Sequence, residues 1–212
     1  GIENISRDDI RFGEEMGYCL KLLAIARKNE KGWISLRVHP SFIPESHRLV
    51  RVEEAFNAVS IIGSEVGQLM YYGRGAGMMP TASAVVADII EIALGNCGTS
   101  FKHMRLQPKD KADVVIQKIG DLVSRFYIRL MVKDQPGVFA QIGRILAENA
   151  VSISGVLQHE GRGPENTVPV VIATHPTLQS KVSSGLEGLG ALDTICSEPV
   201  CIRIVDIPED NK

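Results

Sequence analysis

Phe126-Tyr127-Ile128-Arg129-Leu130-Met131-Val132-Lys133-Asp134-Gln135-Pro136-Gly137-Val138 is the stretch on which the fold turns. Residues 126–132 alternate as a strand does. After Pro136-Gly137 the apolar period lengthens, and Val138, Ile142, Ile145 and Leu146 fall on one face of a helix that Asn149 is placed to stop. Downstream the rhythm repeats. Residues 151–157 read as a second strand, Gly161-Arg162-Gly163-Pro164-Glu165-Asn166 as a loop, and residues 168–173 as a third strand. His175-Pro176 leads into a helix near residues 178–189, residues 200–205 supply the last strand, and residues 192–195 offer a short extra one. The order βαββαβ implies an antiparallel four-stranded sheet with two helices on one face.

Upstream, Ser6-Arg7-Asp8-Asp9 supplies an N-cap and first-turn acids for a helix to about Met16, closed by Gly17. Residues 19–26 and 33–38 are apolar runs joined by a polar turn, and Pro40, Pro44 and His47 read as loop residues. Residues 55–62 and 67–72 give two more strands, and Gly73-Arg74-Gly75-Ala76-Gly77 reads as a loop too glycine-rich for regular structure. Pro80-Thr81-Ala82 opens a helix that ends at Gly95. Residues 96–121 show weak periodicity and read as a linker containing the domain boundary. The class is α+β, with a mixed sheet and helices in the first part. The expected division is 1–107, a linker at 108–122, a module at 123–207 and a tail at 208–212.

Composition excludes several roles. With 212 residues, 44% hydrophobic content and a formal charge of -2, the chain is globular and carries no basic field for nucleic acid. No apolar run approaches the roughly 20 residues that span a bilayer, so no membrane is expected. Cys19, Cys97, Cys196 and Cys201 are widely spread and read as free thiols in a reducing cytoplasm, with no metal set.

Asp134-Gln135-Pro136-Gly137-Val138, between the first strand and first helix of a βαββαβ unit, resembles the ACT domain, a ferredoxin-like regulatory module. That resemblance implies an amino acid bound at Asp134, Gln135, Gly137 and Val138: a carboxylate at the helix N-terminus, an ammonium at Asp134, and Gly137 clearing the approach. A turn and cap without ligand is the alternative. Gly17-Tyr18-Cys19-Leu20-Lys21-Leu22-Leu23-Ala24, Val38-His39-Pro40, Phe56-Asn57-Ala58-Val59, the glycine loop and Pro80-Thr81-Ala82-Ser83-Ala84-Val85-Val86-Ala87-Asp88 together resemble homoserine dehydrogenase over residues 1–95. Arg48 and Glu54 depart from that family's usual proline and glycine.

The resemblance implies NAD(P)-dependent interconversion of L-homoserine and L-aspartate 4-semialdehyde in threonine, methionine and isoleucine biosynthesis. Gly75, Ala76 and Gly77 would lie against the nicotinamide, and an amino acid, threonine foremost, would give feedback control. It places the Rossmann domain and the catalytic residues upstream of Gly1. No catalytic residue is therefore nominated, and neither turnover nor tight cofactor binding is expected of these residues alone. Lys21 reads as a sheet-edge lysine, His39 and His47 as hydrogen-bonded loop residues and Asp88 as a polar-face residue. A homo-oligomer, dimer or tetramer, is expected. A stand-alone amino-acid-binding regulatory or oligomerisation protein is the alternative reading.

Overall fold

A computed structural model describes residues 2–104, 114–159 and 166–207. The elements are α1 (Arg7–Glu15), β1 (Tyr18–Lys28), β2 (Ile34–Pro44), β3 (Phe56–Gly63), β4 (Gly67–Arg74), α2 (Met78–Ala93), α3 (Asn96–His103), β5 (Val123–Lys133), α4 (Val138–Glu148), β6 (Ile153–Gln158), β7 (Thr167–Thr174), β8 (Thr177–Leu178), α5 (Gln179–Gly190) and β9 (Val200–Ile204). They pack as two compact units, one drawn from residues 1–47 and 115–207, the other centred on residues 48–114.

The first unit is built on one sheet in the order β1-β2-β9-β5-β7-β6, with β8 pairing β5. Its β9-β5-β7-β6 part is the expected antiparallel four-stranded sheet. The period-2 alternation of β5 decides which side chains face which layer. Phe126, Ile128, Leu130 and Val132 enter a core with Val138, Ile142, Ile145 and Leu146 of α4 and Val182 and Leu189 of α5. Tyr127 faces the other way, into a second cluster with Phe12 of α1, Phe42 of β2, Val171, Ala173, Ile202 and Ile204.

That second cluster explains why the packing divides the chain differently from the linear order 1–107, 108–122, 123–207. Tyr127, Val171, Ile202 and Ile204 form an apolar sheet face that the two helices leave open, and α1 and β2 cover it. The β1–β2 hairpin continues the sheet, with Ser41 and Phe42 in parallel register with Arg203 and Ile204. A polar lock joins these parts. Asp9, fully buried, accepts hydrogen bonds from Tyr127 Oη at 2.9 Å, Arg129 Nε at 2.6 Å and Arg129 Nη2 at 3.1 Å. The same carboxylate completes a capping box, accepting from Ser6 N and Ser6 Oγ at 2.8 Å each, while Asp9 N donates to Ser6 Oγ. Burial pushes the Asp9 carboxyl up, but the donors from Arg129, Ser6 and Tyr127 outweigh it and hold the group below its ordinary value.

Several local expectations are corrected. Pro40 and Pro44 lie within β2 and not in a loop. Pro40 is tolerated because, among the described residues, it falls between the Ile34–Ile116 bridge and the Ser41–Arg203 pairing, where the outer edge of β2 has no partner. Gly73 and Arg74 belong to β4, whose ladder with β3 reaches Phe56↔Arg74 and shortens the loop to Gly75–Gly77. Residues 96–103 of the supposed linker are helical, and residues 119–121 make a 3-10 turn. The short segment at 192–195 contributes a single bridge, Val132↔Ile195. The rest of the linker from 105 to 113, the loop at 161–165 and the tail at 208–212 lie outside the described residues.

The second unit contains the β3–β4 hairpin, α2 and α3. None of its described residues is fully buried, and Val85, Val86, Ile89, Ile90 and Ile92 of α2 are each more than half exposed. Glu54, just before β3, takes a left-handed φ of 55°, which gives a physical reason for a glycine at this position.

Two stability measurements test these features. Asp9→Asn should cost about 3 kcal/mol in urea unfolding, because it leaves the Arg129 charge buried without its counterion. The wild-type advantage should be complete above the ordinary carboxylate pKa of about 3.9 and shrink as pH falls through the lower folded value. Glu54→Gly, by relieving the left-handed strain, should stabilise the second unit by up to about 1 kcal/mol, read as slower exchange of β3–β4 amides.

Candidate functional site

Two loops carry the sequence-derived site residues, one in each unit. In the second unit, β4 delivers the chain into Gly75-Ala76-Gly77 and α2 receives it, with Gly77 at the N-cap. Gly75 N donates to Ala55 O at 3.1 Å, and a Cβ on Gly75 would overlap the Asn57 side-chain amide. Gly77 has φ 131°, a region closed to other residues, and its carbonyl accepts from Thr81 N at 3.1 Å. The N-cap of α2 is a glycine without a side-chain cap, and Gly75, Ala76 and Gly77 are all exposed. The loop therefore presents bare backbone at the start of a 16-residue helix. Part of its glycine demand is internal, since Asn57 fills the space beside Gly75.

In the first unit, Asp134, Gln135, Pro136 and Gly137 join β5 to α4 and are exposed. Gly137 is the N-cap in the left-handed region, φ 90°, and a Cβ there would meet nothing within 4 Å. Its glycine thus answers a backbone requirement and leaves open space beside it. The loop is held from behind: Asp134 N donates to Asn166 O at 3.0 Å, and Asn166 Nδ2 donates to Asp134 O at 3.2 Å. The N-cap of α4 is a glycine and supplies no side-chain cap, so among the described residues its first-turn N–H groups receive no cap from that position, an arrangement that favours a carboxylate. Val138 itself is buried in the core and fixes the helix end.

The other candidates fall elsewhere. His39 sits on β2, corrected from a loop, with Nδ1 2.9 Å from both Pro40 O and Ser41 Oγ. Burial, with the nearby charges of Arg203 and Arg37, holds its pKa below the usual imidazole value despite the Pro40 hydrogen bond. His47 is buried, Lys21 lies half-buried on the edge strand β1 opposite Ser41, and Asp88 is exposed on α2. Among the described residues no three His, Cys, Asp or Glu side chains group as metal ligands. Burial pushes the Cys201 thiol up to about 12, which makes it unreactive as a nucleophile. No single described helix is long and apolar enough to cross a membrane. Sequence reading missed Asp9 and Arg129 as a pair. The signals were a Ser6…Asp9 capping-box spacing and a charged residue on the second face of an apolar strand.

A βαββαβ module behind a strand–glycine loop–helix segment defines the class by fold: an α+β segment followed by a ferredoxin-like domain. Residues 1–90 match the family model described as homoserine dehydrogenase, and residues 126–182 match the ACT domain. Homoserine dehydrogenase of Neisseria gonorrhoeae is 41% identical over 207 residues, covering 96% of this chain and 47% of that protein. The enzyme of Helicobacter pylori is 40% identical over 209 residues, again covering 96% of this chain and 47% of its own length. The crystal structure of a homoserine dehydrogenase from Thiobacillus denitrificans superposes with a TM-score of 0.84 at 40% identity, over 97% of this chain and 47% of that one. The first 90 residues are thus similar to homoserine dehydrogenase and residues 126–182 to the ACT domain, and the chain spans about half the length of the relatives it matches.

Gly137→Ala should cost about 1–2 kcal/mol through left-handed strain alone, since nothing crowds the new methyl group. Gly75→Ala should instead perturb β3 through Asn57, and Asn57→Ala should relieve it. Paired urea titrations of the two single variants and the Gly75→Ala/Asn57→Ala double variant read out both effects.

Proposed function

We propose that this chain forms part of an NAD(P)-dependent homoserine dehydrogenase that interconverts L-homoserine and L-aspartate 4-semialdehyde, and that its ACT domain gives feedback control by an amino acid, L-threonine. The observation that carries the reading is the similarity over 207 residues that takes in the glycine loop and the Asp134–Val138 turn in one chain. In this reading Gly75, Ala76 and Gly77 lie flat against the cofactor near its nicotinamide. Bare backbone at the α2 N-terminus suits that task, because a side chain would occupy the space of the ring. The N-terminal N–H groups of α4 receive the regulator's carboxylate, Asp134 receives its ammonium group, and Gln135 flanks the entry. Hydride transfer and proton transfer fall to residues outside this chain. The assembly is a homo-oligomer, and the compartment is the cytoplasm.

The test is NADP reduction with L-homoserine, followed by absorbance, for this chain and for the longer protein that contains it. The longer protein should turn over and be inhibited by L-threonine, with inhibition weakened about tenfold or more in Asp134→Ala. This chain alone should not turn over. Turnover by this chain would overturn the assignment of the chemistry elsewhere, and an inactive longer protein would overturn the enzymatic reading itself.

A further inference from the structure

The side of the β1–β2 hairpin turned away from α1 collects basic groups. Opposed residues of an antiparallel pair share a face, so Ser35 with Arg27, Arg37 with Ile25 and His39 with Leu23 lie together. Phe42, on the other face, enters the α1-side core. Ser41 carries the same face across to Arg203 of β9, whose neighbours Ile202 and Ile204 also enter the α1-side core.

Here Arg37 stands within electrostatic reach of two further guanidinium groups, its charge disfavoured by burial first and then by Arg203 and Arg27. Arg37 Nη1 donates to Ser35 Oγ at 3.1 Å and Arg203 Nη2 to Gln179 Oε1 at 2.6 Å. The Nε atoms of both arginines and Nε2 of His39 are buried and meet no hydrogen-bond partner among the described residues. Among the described residues, no carboxylate forms a salt bridge with Arg27, Arg37 or Arg203. A cavity of about 160 Å³ opens beside them, its polar lining made by Arg27, Asn29, Ser35, Arg37, Gln117 and Asp121. Among the described residues, Arg27 and Arg37 line this cavity against the one carboxylate of Asp121, which leaves one positive charge in excess, and Arg203 adds to it from outside the lining. A half-buried cation without a paired counterion costs stability, and guanidinium forks match the geometry of oxyanions.

We propose that this cavity is a binding site for a small oxyanion of the phosphate class, either free phosphate or the phosphate group of a phosphomonoester, held by Arg27 and Arg37, with the charge of Arg203 adding to the field at Arg37. Two guanidinium forks on one cavity carry more N–H donors than the two oxygens of a carboxylate fill, and a phosphate group supplies further acceptor oxygens. Arg27 is exposed and gives the ligand its entrance. The site is separate from the Asp134–Val138 turn and does not depend on the amino-acid regulator.

The test is thermal melting and titration calorimetry of the whole chain with inorganic phosphate and, separately, adenosine monophosphate, at fixed pH and ionic strength against chloride. Phosphate should raise the melting temperature, and Arg37→Gln should weaken binding at least tenfold while melting no lower than wild type in chloride, because a half-buried charge repelled by Arg203 and Arg27 is removed. If that variant does not fold, exposed Arg27→Gln carries the same test of affinity. Tighter binding of the monophosphate would identify a phosphorylated metabolite as the ligand, and binding of phosphate alone the free ion. No rise above chloride, or an equal rise in wild type and both variants, would overturn the proposal.

Discussion

The first unit depends on the Asp9 carboxylate. It lies at the bottom of α1, sealed from water, and gathers Ser6, Tyr127 and Arg129 around it. A charge so placed is tolerable only when its acceptors are filled and a counterion is adjacent, and here both conditions are met by residues about 120 positions apart in sequence. The consequence is geometric. Arg129 and Tyr127 protrude from the sheet face that α4 and α5 leave open, so satisfying Asp9 requires α1 to lie on that face. Phe12 and Phe42 then fill the apolar ground around the lock, with Phe42 packed against Tyr127 at a ring separation of 4.9 Å.

From this follows the extended sheet. Once α1 is seated, the chain leaves it at Met16 and Gly17 and enters β1, whose hairpin places β2 beside β9. Val205 N donates to Phe42 O at 2.8 Å, continuing the junction. The ACT-like module therefore has its second face covered by the segment that is similar to homoserine dehydrogenase. The turn at Asp134–Val138 lies at the far end of the same β5 that carries Tyr127 and Arg129, so the proposed regulatory turn and the α1 lock share one strand.

How much of this was legible in the sequence differs by scale. The βαββαβ order was readable because each element buries one stripe against its neighbours, and the alternation of residues 126–132 and the spacing of Val138, Ile142, Ile145 and Leu146 report that directly. The helix at Ser6–Met16 was readable from its cap. The role of α1 was not, because nothing local distinguishes an acid at a helix start that faces water from one that meets Arg129. Pro40 and Pro44 suggested a loop, since the tolerance of proline in a strand depends on which edge is unpaired, a fact of tertiary structure. The residues 75–77 were legible as a strand-to-helix turn. Their relation to a cofactor rested on resemblance, and Asn57 shows that glycine there also serves the hairpin. The Arg27, Arg37 and Arg203 grouping was invisible because alternation had placed its members in separate strands.

If the Asp9 lock governs the first unit, residues 1–47 and the βαββαβ module unfold as one body. Native-state hydrogen exchange measures this directly. Amides of α1 and of the β1–β2 ladder should share their opening free energy with those of β5 and β7, and the two sets should move together as denaturant is added. If α1 and β1–β2 instead opened at much lower free energy while β5 and β7 stayed protected, the module would be self-sufficient and the Asp9 lock a minor surface attachment.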